Sequence, residues 1–213
     1  MRAPSVYPGQ VAARRDRREE ILGTAARLFA VSGFHGVSID DLGAELGISG
    51  PAIYRYFPGK DAILADMLVD VSRRLLDGST RRIAQEDTAV DQLDALLRFH
   101  VDFALAEPEL IAVHFRDLGS APDRERRLVR QLQRSYVGVW VEVLQRVHPQ
   151  VSRERATSSA QAVLGLLNST PYSLRGGEPQ MANLLHDMAW AALEAACAEP
   201  VRERSLASAK ESR

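Results

Sequence analysis

The chain has 213 residues, 46% hydrophobic and 26% charged, the balance of an ordinary globular protein long enough for one large domain or a small one joined to a larger. Lys and Arg number 27 against 28 Asp and Glu, so no overall basic excess marks a nucleic-acid binder; the excess is local, +2 over residues 1–60 and −3 over 61–213. The single cysteine, Cys197, excludes an internal disulfide framework and a cysteine-built zinc site, and it fits a reducing cytoplasm.

The N-terminus carries charge without an apolar stretch of signal-peptide length, which argues against secretion. Residues 1–16 read as a flexible basic arm, with Arg2, Arg14 and Arg15 ahead of any apolar periodicity. From Arg17 the pattern turns helical, with Ile21, Ala25, Leu28 and Phe29 on one face and Gly33 as the stop. Ser38 is placed to cap a short helix, with Asp41 at the capping-box position and Ile39, Leu42 and Leu46 apolar; Gly47 breaks it. Ser49 and Pro51 then open a brief helix, Gly50–Phe57, which Pro58 and Gly59 end. A long helix follows over Lys60–Ile83, with Ile63, Met67, Val71 and Leu75 on one stripe.

Every later periodic segment is helical as well: one through Leu93–Ala104, a shorter one over Leu110–Leu118, and a long one through Leu128–Val147. The uncharged run Ala156–Leu174 is 19 residues long, enough to span a bilayer, but its Thr, Ser, Gln and Asn content reads as a helix buried in protein. Met181–Ala196 makes the last helix, and residues 199–213 read as a disordered polar tail. No alternating strand pattern appears, so the fold class is all-α with about nine helices: arm 1–16, a three-helix domain 17–62, and a larger helical domain 63–198.

The three short helices over 17–57 have the spacing of a helix-turn-helix. A recognition helix enters a major groove about 12 Å wide with its leading end, which calls for small or polar side chains there. Ser49, Gly50, Pro51 and Ala52 meet that need, Ile48, Ile53 and Phe57 supply an inward face, and Tyr54, Arg55 and Tyr56 are donors for phosphates. Lys60 adds a positive charge at the start of the next helix. Each has a plain counterpart: the tyrosines as half-buried aromatics, Lys60 as a surface charge, and Arg14 and Arg15 as a frayed tail instead of a minor-groove arm.

The stretch Arg17–Asp66 resembles the DNA-binding domain of the tetracycline-repressor (TetR) family. The resemblance is carried by Gly33-Phe34-His35-Gly36-Val37-Ser38-Ile39, Leu46-Gly47-Ile48-Ser49 and Ile53-Tyr54-Arg55-Tyr56-Phe57-Pro58-Gly59-Lys60. It implies a homodimeric, ligand-released transcriptional repressor on a palindromic operator. It further implies that Ser38 and Ser49–Ala52 face the groove, that Tyr54, Tyr56 and Lys60 clamp phosphates, and that Arg55 reaches a phosphate or a base.

Beyond that stretch the chain matches such proteins only in helix number and length. Ser158, Ala162, Gly165 and Ser169 form a small-residue stripe, and the last helix offers an apolar one that includes Leu184 and Met188. The resemblance assigns these two helices to a dimer interface; packing within one subunit is the alternative. Phe99, Phe103, His114, Phe115, Tyr136, Trp140, Asn168 and Tyr172 are the candidates to line an effector cavity, against a reading as ordinary core, and His100 reads as a core or pocket histidine. The arginines at 124, 126, 127, 130 and 134 form either a solvated face or a partner for a phosphorylated tail such as that of an acyl-coenzyme A. No set of side chains has metal-ligand spacing, no cofactor motif is present, and no nucleophile–base pair or phosphate loop supports an enzyme, so neither a metal nor a cofactor is expected. A helical adaptor that has lost DNA binding is disfavoured by Tyr54, Tyr56 and Lys60.

Overall fold

In a computed structural model of the chain, residues 8–173 and 179–197 are described. They form α1 (Pro8–Ser32), α2 (Ile39–Glu45), α3 (Gly50–Ile53), α4 (Lys60–Ile83), α5 (Ala89–Ala106), α6 (Pro108–Asp117), a 3-10 turn (Leu118–Ser120), α7 (Asp123–Val147), α8 (Arg153–Leu167), α9 (Thr170–Ser173) and α10 (Pro179–Cys197), with no strand among the described residues. The expected tail, 199–213, and the first seven residues of the expected arm lie outside the described residues.

The chain divides into two units. Met1–Leu76 and Ala106–Gln133 form the first, Asp77–Leu105 and Arg134–Arg213 the second, so the division falls inside α4 and α7 and not at residue 62. In the first unit, Ile21, Ala25 and Phe29 of α1 meet Leu42, Ile53 and Phe57 and, from α4, Ile63, Leu64 and Leu68, all at most 1% exposed. In the second, Leu93, Leu96, Leu97, Trp140, Val143, Leu144, Ala156, Leu167, Ala189 and Leu193 are fully buried.

Three elements differ from the sequence expectation, each for a local reason. α1 starts at Pro8 instead of Arg17. The sequence ahead of Ile21 carries no apolar repeat to mark it as helical, and past the first turns charge pairs sit at helical spacing, Arg15–Glu19 at 2.8 Å and Arg17–Glu20 at 2.7 Å. α3 is a single turn that continues as a tighter turn, with the Tyr56 N–H donating to Ile53 O at 2.8 Å. The uncharged run is not one helix. α8 ends at Leu167, and Pro171, which has no N–H to donate to Leu167 O, sits in the separate turn α9.

Candidate nucleic-acid interface and effector cluster

The geometry of the first unit's short helices starts from glycine. Gly43 of α2 lies so close to the following turn that an added Cβ would stand 2.7 Å from Ile48 O and 2.9 Å from the Gly50 nitrogen. Gly47, at φ 64°, makes the turn between α2 and α3 in the left-handed region, and the Ile48 N–H donates to Gly43 O at 2.9 Å. Gly50 is itself buried, and a Cβ there would strike Asp40 Oδ1, so its smallness serves the contact between α2 and α3. Sequence reasoning assigned Gly50 to the groove and overlooked Gly43; a glycine at the fifth position of a short helix was the available signal.

Ser38 caps α2 through a complete capping box: Asp41 N–H donates to Ser38 Oγ at 3.0 Å, while Ser38 N–H and Oγ–H donate to Asp41 Oδ2 at 2.8 and 2.6 Å. Those bonds from Ser38 hold the Asp41 carboxyl below the usual carboxylate range. Ser49 occupies the cap position of α3, exposed and with no side-chain capping bond. Pro51 is exposed, Ala52 half-buried, Tyr54 55% exposed, Arg55 exposed and Tyr56 half-buried. Beneath them Ile53 and Phe57 are sealed in the core at 0% and 1%.

Two arginines of α1 join this end of the unit. Arg14 Nη2 donates to Arg55 O at 3.1 Å, so Arg14 is helical and docked beside α3. Arg18 pairs with Asp66 and lies over the Phe57 ring at 4.5 Å. Lys60 turns inward: its Nζ donates to Phe34 O at 2.7 Å and Val37 O at 2.6 Å, and stands 4.5 Å from the Phe34 ring centroid. An ammonium has three donors, so one remains. The same α1–α2 turn is held from α6, where Arg116 donates to Phe29 O and to Ala30 O (3.1 Å), two of the last four carbonyls of α1, and pairs with buried Asp117. His35 Nε2 and Ser120 Oγ, 3.0 Å apart, complete the set.

In the second unit, α5, α7 and the end of α8 bring four polar-headed side chains into one apolar core. His100 is 2% exposed, Tyr136 6% and Trp140 0%. His100 Nε2 lies 3.1 Å from Asn168 Oδ1, and Nδ1 lies 2.9 Å from the Tyr136 hydroxyl. With Oδ1 an acceptor, Nε2 carries the imidazole proton and Nδ1 accepts from Tyr136 O–H. Burial pushes the His100 pKa from its ordinary 6.5 down to about 4, with Asn168 opposing, and raises that of Tyr136, so both are uncharged. Phe103, Tyr136 and Trp140 ring His100 with centroids at 5.7, 5.8 and 6.2 Å. Trp140 Nε1 interacts with the Tyr136 side chain but makes no well-formed hydrogen bond. A buried donor left in that state costs ~1–3 kcal/mol.

Residues 21–67 match the model of the bacterial regulatory proteins of the tetR family, and residues 86–193 match that of the tetracyclin repressor-like C-terminal domain. The chain belongs to the TetR family. It is 33% identical over 120 residues to the HTH-type transcriptional regulator EthR of Mycolicibacterium smegmatis, covering 56% of this chain and 49% of that one. With a nucleoid occlusion factor SlmA of Idiomarina loihiensis it shares 30% identity over 100 residues, 47% and 51% of the two chains. The chain thus spans about half the length of these relatives. A TetR-family regulator from Bordetella parapertussis 12822 superposes with a TM-score of 0.76 at 19% identity, over 89% of this chain and 98% of that one. AibR, solved with isovaleryl coenzyme A and operator DNA, gives 0.69 at 17% identity, over 82% and 97%.

TetR-family members are DNA-binding transcription regulators, not enzymes, and bind operators and small-molecule effectors as dimers. No helix among the described residues is long and apolar enough to cross a membrane, and no three metal-ligating side chains converge among them. Of the residues expected around an effector, Phe103, Tyr136, Trp140 and Asn168 come together, with His100 at their centre. Phe99 packs its ring over Gly78, Tyr172 is 76% exposed, and Phe115 is 60% exposed. His114 lies in the first unit against Gln133, its pKa lowered by burial. On α8 and α10, Ser158, Ala162, Gly165, Leu184 and Met188 are all exposed, opposite the buried face of Ala156, Val163, Leu167, Leu185 and Ala189.

Proposed function

We propose that this chain is a ligand-released transcriptional repressor that binds a palindromic operator as a homodimer in the cytoplasm. The observation that carries the reading is the exposed row Ser49, Pro51, Tyr54 and Arg55 on a helix-turn-helix whose inner face is sealed, with Arg14 docked beside it. Ser49 and Ala52 present small surfaces for the groove, Tyr54 and Tyr56 present hydroxyls for phosphates, and Lys60 keeps one N–H for a phosphate. Ser38 takes part through the helix end it caps, its hydroxyl being engaged with Asp41.

The dimer is proposed to form through α8 and α10. A Cβ on Gly165 would meet nothing within 4 Å among the described residues, so none of them requires a glycine there, whereas a closely approaching partner helix would. The effector is read as a small apolar or acyl-type molecule, acyl-coenzyme A included, and AibR with its isovaleryl coenzyme A supports that class. Arg124, Arg127 and Arg130 are exposed for a phosphorylated tail, while Arg126 is engaged by Asp123 and by Gly119 O and Ala121 O.

Tyr54→Phe tests the phosphate clamp with the fold undisturbed. Losing one phosphate hydrogen bond weakens binding about fivefold on specific and nonspecific duplexes alike. Unchanged affinity on both would remove Tyr54 from the interface.

A further inference from the structure

The second unit spends four polar-headed side chains where leucine and phenylalanine would fill the space, and this pattern has a consequence for the effector's chemistry. The hydrogen-bond chain Tyr136 O–H to His100 Nδ1, and His100 Nε2–H to Asn168 Oδ1, uses every donor of its two buried members. Among the fully buried members this leaves one donor without a well-formed bond, the ring N–H of Trp140, at 0% exposure and flanked by aromatic rings. Asn168 and Phe103 are only half-buried, so the cluster reaches the edge of the core on their side. Native cores pair their buried polar groups, and an orphan donor points to an absent acceptor.

We propose that this cluster recognises an uncharged hydrogen-bond acceptor, a carbonyl of ester, thioester, ketone or amide type, on an otherwise apolar effector, with Trp140 Nε1–H as the donor to that carbonyl oxygen. The proposal rests on the reading of the chain as a ligand-responsive regulator and sharpens it. A carboxylate fits this site poorly: the hydrogen-bond partners of His100, the Tyr136 hydroxyl and the Asn168 amide, are neutral, so an anion brought there gives up its hydration with no cation among them to offset the cost. His100 and Asn168 act as positioning residues, turning the Tyr136 O–H toward the imidazole and fixing the ring beside the indole N–H.

The test uses the full chain and three probes of matched length: methyl octanoate, octanoate and octane. Two indole N–H signals are expected in a 15N–1H spectrum, from Trp140 and Trp190, and Trp190→Phe assigns them. The ester shifts the Trp140 indole signal downfield and saturates it, binding about tenfold more tightly than the carboxylate or the alkane. Trp140→Phe loses that advantage, so that ester and octane bind with similar affinity. Octanoate binding as well as the ester, or ester binding without movement of the Trp140 indole signal, overturns the proposal; the second readout needs no variant and stands if Trp140→Phe fails to fold. Binding of none of the three also overturns it. Operator binding, measured separately, keeps the two readings apart: a chain that binds its operator but shows no indole response loses only this inference.

Discussion

Gly43 and His100 show what single side chains decide in this molecule. Gly43→Ala places a methyl against the backbone of Ile48 and Gly50, atoms that cannot swing aside as a side chain would. The expected cost is about 1–3 kcal/mol with loss of operator binding, read from a denaturation midpoint and a binding titration; a variant as stable as the parent contradicts the close crossing. His100 sets a pH dependence whose sign follows from burial. Its folded pKa of about 4 lies below the ordinary 6.5, so between these values the unfolded chain holds more protons and stability falls as pH falls. His114, also lowered by burial, acts in the same direction. The full His100 effect is about 3 kcal/mol, present above pH 6.5 and lost toward pH 4. Urea midpoints of the parent and His100→Gln should therefore draw together as pH drops through this window; a constant gap contradicts the assignment.

At the scale of elements, local signals were legible and tertiary ones were not. The Ser38 capping box, the Gly33 stop at φ 77° and the Gly47 break are written in neighbouring residues, and the structure has all three. The start of α1 was not legible, because its arginine-rich turns lack the apolar repeat that marks a packed face. The partners of Lys60 are 23 and 26 residues away, and nothing in the sequence says that its charge ends on Phe34 O and Val37 O. Of the cluster around His100, the aromatic and amide members could be read from their helices, but His100 as its hub and the Trp140 N–H without a well-formed bond could not, because both depend on packing between helices far apart in the chain. Arg116 was invisible for the same reason: it caps a helix 86 residues earlier in the chain. Arg116→Ala removes both donors from the end of α1 and leaves Asp117, 5% exposed, without its cation, at about 1–3 kcal/mol. Hydrogen exchange at the last turn of α1 should accelerate more than in the rest of that helix, and uniform protection contradicts the capping role.

At the scale of the whole molecule, the account depends on two copies meeting through the exposed faces of α8 and α10. Gly165→Leu fills the open space beside α8 without disturbing its own subunit, so thermal stability of the monomer fold is kept while the dimer dissociates at lower dilution in sedimentation. A dimer that resists the substitution places the interface elsewhere. The central claim is operator recognition by a TetR-family protein, and fluorescence anisotropy on DNA from the gene's own upstream region tests it most directly. With excess nonspecific competitor and at two salt concentrations, the account predicts tight, competitor-resistant binding that weakens with salt as phosphate contacts require. Binding that competitor abolishes at both salt concentrations would contradict it.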